Sequence, residues 1–185
     1  MADDKGALVW KITGTFLRGC LFALTNKGTE AIQEITSSLT AYRSTGAKMF
    51  VPIMLVYLSR AYAATRQFDR ALCAITEAMT TLETTGERWV EAEVYRVAGE
   101  LALNSPVSDT AKAEEYFERA ITVARRQQAR YWELRATMSI ARLWRDRGKP
   151  QQARELLAPV YGWFTEGFDT RDLKEAKALL GTLVS

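Results

Sequence analysis

The sequence predicts an all-α solenoid of about four helix pairs, closed by a C-terminal capping helix. Three observations carry this expectation. Small residues recur at a fixed period: the triplets Ala31–Ile35–Ser38, Ala71–Ile75–Ala78, Ala113–Phe117–Ala120 and Ala153–Leu157–Val160 begin with alanines spaced 40, 42 and 40 apart. Turn signals repeat with them, since "YRSTGAK" and "LETTGER" place Gly46 and Gly86 40 positions apart. No stretch alternates apolar and polar residues for long enough to make a strand. Steps of three and four put each triplet on one helical face, where a small residue lets two backbones approach and the large one fills the adjacent groove.

Helices are expected over 7–25, 29–44, 49–65, 68–85, 88–104, 109–128, 131–147, 150–164 and 170–183. The first is apolar nearly all round, with Phe16, Leu17, Leu21, Phe22 and Leu24 on several faces. Such a terminal helix is expected to stack on earlier repeats or on a second copy of the chain through Phe16, Leu17, Leu21 and Leu24. Its segment "ALVWKITGTFLRGCLFALT" carries Lys11, Arg18 and two glycines. It falls short of the roughly 20 clean apolar residues of a membrane span, so no membrane partner is expected. Twelve residues before most leading alanines stands another small residue with a large one three later: Gly19 with Phe22, Ser59 with Tyr62, Ala141 with Trp144. The third unit, Gly99 with Ala102, fits after a two-residue insertion, for which "NSPVSDT" has room. Gly148 ends one helix and Pro150 opens the next.

The final helix has Asp169 as its expected N-cap, Asp172 as a shortened capping-box acid, and Phe168 and Leu173 as a hydrophobic staple. Leu173, Ala176, Leu180 and Leu183 form its apolar face, with Trp163 and Phe164 packed beneath. Lys174, Glu175 and Lys177 face water, as the end of a repeat stack requires. The whole reads as a single domain, 1–185, with units of about 7–46, 47–86, 87–129 and 130–167 and a cap at 168–185.

Nearly half the residues are hydrophobic (48%) and a quarter charged, an ordinary globular balance rather than a disordered one. The prolines at 52, 106, 150 and 159 punctuate the chain. The net charge of +3 is too weak to indicate nucleic acid. From Ala111 onward, however, 14 basic residues face 10 acidic ones. "RRQQARYWELR" mixes arginine with Tyr131 and Trp132, but at helical spacing these aromatics are expected in the core, so nucleic acid is not an expected partner. Cys20 and Cys73 read as two buried or half-buried thiols in a reducing compartment. Met1 is followed by Ala-Asp-Asp rather than a basic secretory leader, so a cytoplasmic location is expected.

Histidine is absent, which excludes Ser-His-Asp and Cys-His catalysis and histidine metal sites. "TNKGTE" lacks the spacing of a phosphate loop. The carboxylate pairs Glu91/Glu93, Glu114/Glu115 and Asp169/Asp172 read as solvated faces or first-turn acids. No catalytic, cofactor or metal site is therefore expected, and the chain reads as a non-enzyme.

The repeat resembles the tetratricopeptide repeat (TPR). Leu58, Ser59, Tyr62, Ala71 and Ala78 stand at that motif's hydrophobic, small, aromatic and two alanine positions, and Ala141, Trp144, Gly148 and Ala153 match in the fourth unit. The resemblance implies a right-handed superhelical solenoid, and the period above 34 implies longer helices and a looser superhelix. "TGERWVEAEVYRVAGELAL", "AEEYFERAITVARRQQARYWELRATMSIARLWRDRGK" and "ARELLAPVYGWFTEGFDTRDLKEAKALL" resemble the C-terminal end of bacterial signalling proteins. These join a class III adenylate/guanylate cyclase domain, an AAA-type ATPase and a TPR array. This sequence matches neither catalytic portion, so their catalysis is not carried over. The resemblance implies a regulatory protein-interaction module in signal transduction.

In a TPR array the first helix of each pair lines a concave groove. Mapped here, that groove has an apolar zone of Phe16, Leu17, Cys20, Ile53, Val56 and Tyr57. Its charged zone holds Arg60, Arg96, Arg135, Arg142 and Arg145 among Glu93, Glu100 and Asp146. Arginine binds carboxylates in bidentate fashion, so an acidic or amphipathic peptide is the expected partner. Charge reversal at Arg96 and Arg142 is then expected to abolish capture without lowering the melting temperature. The alternative is a small stand-alone adaptor that homodimerises through the N-terminal helix.

Overall fold

The computed structural model describes residues 2–183, with side chains from residue 7 onward. Among these residues there are nine helices and no strand: α1 (Ala2–Leu24), α2 (Gly28–Ser44), α3 (Val51–Ala64), α4 (Phe68–Thr85), α5 (Glu91–Asn104), α6 (Thr110–Arg126), α7 (Arg130–Asp146), α8 (Pro150–Gly162) and α9 (Arg171–Thr182). The fold is the predicted TPR-like helical solenoid. Packing divides it into two compact units, Met1–Val90 with α1–α4 and Glu91–Ser185 with α5–α9. Inside each unit consecutive helices form hairpins. Odd-numbered helices also approach closely (α1 with α3, α5 with α7, α7 with α9), whereas among the described residues the backbones of α2 and α4, or of α6 and α8, do not, α2 and α4 being linked through the Arg43–Glu77 ion pair. Hairpins that meet on one side and splay on the other give each unit a concave side lined by its odd-numbered helices.

The recurring small and large residues mark the points where helices cross. A Cβ added to Gly19 would lie 2.7 Å from Ile35 Cγ1, and one added to Gly99 only 2.5 Å from Phe117 Cε1. Ser59 and Ala141, each sixteen residues before a buried Ile75 or Leu157, are fully buried at the corresponding places. The leading alanines Ala31, Ala71, Ala113 and Ala153 have no exposed surface. Ser59 alone brings a hydroxyl to such a crossing, and its Oγ has no hydrogen-bond partner. Ser59→Ala is accordingly expected to leave stability unchanged or raise it by up to about 1 kcal/mol, read as a urea midpoint, because an unsatisfied buried group is removed.

The period is also written into the backbone. Asn26, Arg66 and Gly148 adopt left-handed φ values of 58°, 60° and 72°. The following amides of Lys27, Gln67 and Lys149 donate to the carbonyls of Phe22, Tyr62 and Trp144 at 3.0, 2.9 and 2.8 Å. This six-to-one bond is the Schellman ending of a helix. The link from α5 to α6 departs from it by the two extra residues, and there Asp109 caps α6 by accepting from the Lys112 amide at 2.8 Å.

Four local expectations are corrected. The N-cap of α9 is Thr170, with φ −67° and ψ 153°, rather than Asp169. Gly167 at φ 74° starts the turn, and the Thr170 amide donates to its carbonyl, which shifts the helix start by one residue. Phe168 packs on Tyr161 (ring centroids 5.9 Å apart). Phe164 joins the terminal core with Leu173, Ala176 and Leu183, as does the unforeseen Leu179, but Trp163 stays exposed beneath the Arg130 guanidinium. Finally, Pro52 and Pro150 do sit in first turns, whereas Pro159 lies inside α8.

Candidate functional site

The concave side of the second unit carries a ladder of charges. Spacings of three and four place Glu93, Arg96 and Glu100 on one face of α5, Tyr131, Arg135, Ser139 and Arg142 on one face of α7, and Asp172 and Glu175 at the start of α9. Arg96 is the centre of this ladder and only 3% exposed. Its Nε and Nη2 donate to the two Glu93 oxygens at 2.6 and 2.9 Å, and Nη1 reaches Glu100 and the Ser139 hydroxyl. Burial works against its charge, but the Glu93 and Glu100 carboxylates overcome that cost and hold Arg96 above the ordinary arginine value. Glu93 also receives Arg135 at 3.0 Å, and Arg135 lies 4.0 Å from Asp172.

Beside this closed network the ladder opens to solvent. The Arg135 guanidinium lies 5.7 and 5.6 Å from the ring centroids of Tyr131 and Trp132, which are 5.1 Å from each other. Burial and the neighbouring Asp172 push the Tyr131 phenol up to about 12, so it is protonated at neutral pH. Glu175 is shared by two arginines, Arg171 at 2.7 Å and Arg142 at 2.9 Å. Both pull its carboxyl below the ordinary range, Arg171 most strongly. Two guanidinium groups on one carboxylate leave N–H donors unused at this end of a ladder whose four acids and four arginines balance, Asp172 also acting on Arg171.

Several site expectations change with these positions. Arg96 is an internal strut rather than a free ligand group, so its reversal cannot be thermally silent. Arg135 is largely covered and committed to Glu93, and Arg145 pairs with Asp146 at 2.8 Å. Arg142 is half-exposed and shares Glu175 with Arg171. Glu91 and Glu93, expected on a solvated face, are buried, Glu91 paired with Arg126 at 3.3 Å. The arginines of "RRQQARYWELR" are likewise each matched to Glu91, Glu93 or Glu133. Tyr131 is half-exposed rather than in the core. Sequence reasoning missed Asp172, Arg171 and Glu175 as parts of this surface; their position one helix beyond Arg135 and Arg142 was the available signal.

The predicted apolar zone in the first unit is mostly core. Ile53, Val56 and Cys20 are buried, and burial pushes the Cys20 thiol up to about 12, whereas Cys73, expected buried or half-buried, is exposed on α4. Tyr57 meets Phe16 edge to face at 5.7 Å, which takes Phe16 away from the expected self-association face. Arg60 is half-buried near Cys20. Leu17, Leu21 and Leu24 remain exposed on the opposite side of α1. The expectation that α1 is too short or too polar for a membrane does not hold: Ala7–Leu24 is long and apolar enough by length and composition alone, its two charges being too few to disqualify it. One of its sides is nonetheless packed on α2.

No family model matches this chain, and no curated protein matches it. Solved structures do. A single-substitution variant of a kinesin-light-chain-like protein of nearly identical TPR-like repeats from Podosopora anserina superposes with a TM-score of 0.67 at 14% identity, over 94% of this chain and 84% of that one. The protein of the same description without the substitution gives 0.60 at 15% identity, over 94% and 93%. At this identity the likeness shows the TPR-like fold alone.

Proposed function

We propose that the chain is a non-catalytic interaction module that holds an acidic or amphipathic segment of a partner protein along the concave face of α5, α7 and α9. One observation carries this reading: Arg142 and Arg171 share a single carboxylate, Glu175, on the same exposed face as Tyr131. An incoming carboxylate finds guanidinium donors without displacing a buried pair, and an apolar side chain finds the Tyr131–Trp132 rings. The buried Glu93–Arg96 network fixes the spacing of α5 and α7 behind this surface. The sequence resemblance to the tails of cyclase–ATPase–TPR proteins supports a regulatory role in signal transduction, and two free thiols suit a cytoplasmic setting.

The test is capture from the source cell. A partner held by the wild-type chain is expected to fall at least tenfold in recovery with Arg142→Glu plus Arg171→Glu, and with Tyr131→Ala. All three side chains are half-exposed or more, so the melting temperature is expected to fall by no more than about 4 °C, the effect of about 1 kcal/mol. Undiminished capture by the double variant would remove the second unit's concave face from consideration.

A further inference from the structure

α1 has two dissimilar sides. Ile12, Gly19 and Cys20 are buried. The other side carries Ala7, Trp10, Gly14, Leu17, Leu21 and Leu24, all exposed, with Trp10 at 77% and the three leucines above half. A Cβ added to Gly14 would meet nothing within 4 Å. The steps along this stripe alternate three and four, which is the a/d seam of a coiled coil: Ala7, Gly14 and Leu21 at a, Trp10, Leu17 and Leu24 at d.

We propose that α1 pairs with α1 of a second copy of this chain, antiparallel, about a twofold axis between residues 15 and 16. The sizes along the stripe select both the occupant and the direction. In an antiparallel pair each a position faces a d position, so with this axis Ala7 faces Leu24, Gly14 faces Leu17, and Trp10 faces Leu21. Every small residue receives a leucine and the indole receives one large neighbour. A parallel pair in register would instead set Gly14 against Gly14 and Trp10 against Trp10, a void followed by a clash. The antiparallel arrangement is isologous, and a twofold dimer is the commonest closed assembly.

Area and charge agree with this occupant. The four large side chains of the stripe offer on the order of 600 Å² of apolar surface per copy, near the roughly 800 Å² per partner of a standard interface. The only charges between 7 and 24 are Lys11 and Arg18, both beside the stripe rather than on it. Glu34 binds Arg18 through both oxygens at 2.8 Å, so the Lys11 of the second copy approaches a neutralised pair with a carboxylate in reach.

Light scattering of the full chain at micromolar concentration is expected to give twice the 20.8 kDa monomer mass. Leu17→Glu and, separately, Leu21→Lys are expected to return it to monomer with unchanged circular dichroism, since neither side chain is buried. Direction is read in a Cys73→Ser background with Ala7→Cys on one chain and Leu24→Cys on another. The mixture is expected to form a disulfide-linked dimer and neither variant alone to do so, because identical positions lie about 25 Å apart at 1.5 Å per residue. A wild-type monomer, a dimer that survives both charged variants, or self-linking of Ala7→Cys would each overturn the proposal. So would α1-dependent binding to phosphatidylglycerol vesicles by a chain that is monomeric in buffer. Leu17→Glu leaves Tyr131, Arg142 and Arg171 unaltered, so loss of the dimer and loss of partner capture are separate results.

Discussion

Arg96→Ala is expected to destabilise the chain by about 3–5 kcal/mol, the usual cost of removing one member of a buried ion pair. The substitution strips three donors from two carboxylates. Glu93, 2% exposed, would keep only Arg135, and Ser139 would lose its guanidinium contact. The Glu93 carboxylate left behind would be a buried charge stripped of two of its guanidinium donors. Arg142→Ala supplies the control: its pair with Glu175 is half-exposed, and the expected loss is under about 1 kcal/mol. Urea denaturation of the two variants side by side reads both numbers. Equal, small losses would mean that the ladder is not an internal strut and that Arg96 is accessible to a ligand after all.

Phe117→Ala is expected to cost about 3–5 kcal/mol, as for other fully buried aromatics. Its ring fills the notch over Gly99, where a methyl group would come within 2.5, 2.7 and 3.0 Å of three ring atoms. Gly99→Ala should therefore destabilise by about 1–3 kcal/mol through overpacking, although alanine is favoured over glycine inside a helix by about 1 kcal/mol. The sign is expected to reverse in a Phe117→Leu background, where the interfering ring atoms are gone. A double-mutant cycle built from these variants isolates the contact, and a coupling within about 0.5 kcal/mol of zero would show that the glycine is not a steric requirement.

The helix crossings were legible because they depend on volume, and volume is visible in residue type. Gly19 with Ile35, Ser59 with Ile75 and Ala141 with Leu157 show themselves as small–large pairs sixteen residues apart, and Gly99 with Phe117 stands eighteen apart because of the two extra residues before α6. The left-handed turns were less legible. Asn26 and Arg66 take the conformation that Gly148 takes, because the six-to-one hydrogen bond compensates a side chain there, and residue type alone does not record that. The charged surface was hardest to read. Glu93 and Lys177 look alike in a helical pattern, and only the packing of α5 against α7 decides that one is buried and the other solvated. Acid, base and acid at 93, 96 and 100 were the available hint of an internal pair rather than a basic groove.

Among the described residues each helix of either unit touches only neighbours one or two steps along the chain. Contacts so close in sequence require little loop closure before they form, so any hairpin can begin ordering alone and recruit the next. Unfolding then proceeds as fraying from an open end, and a lesion in one hairpin is felt mainly by the hairpins beside it. Amide exchange along this chain would show a gradient of protection rather than a single plateau.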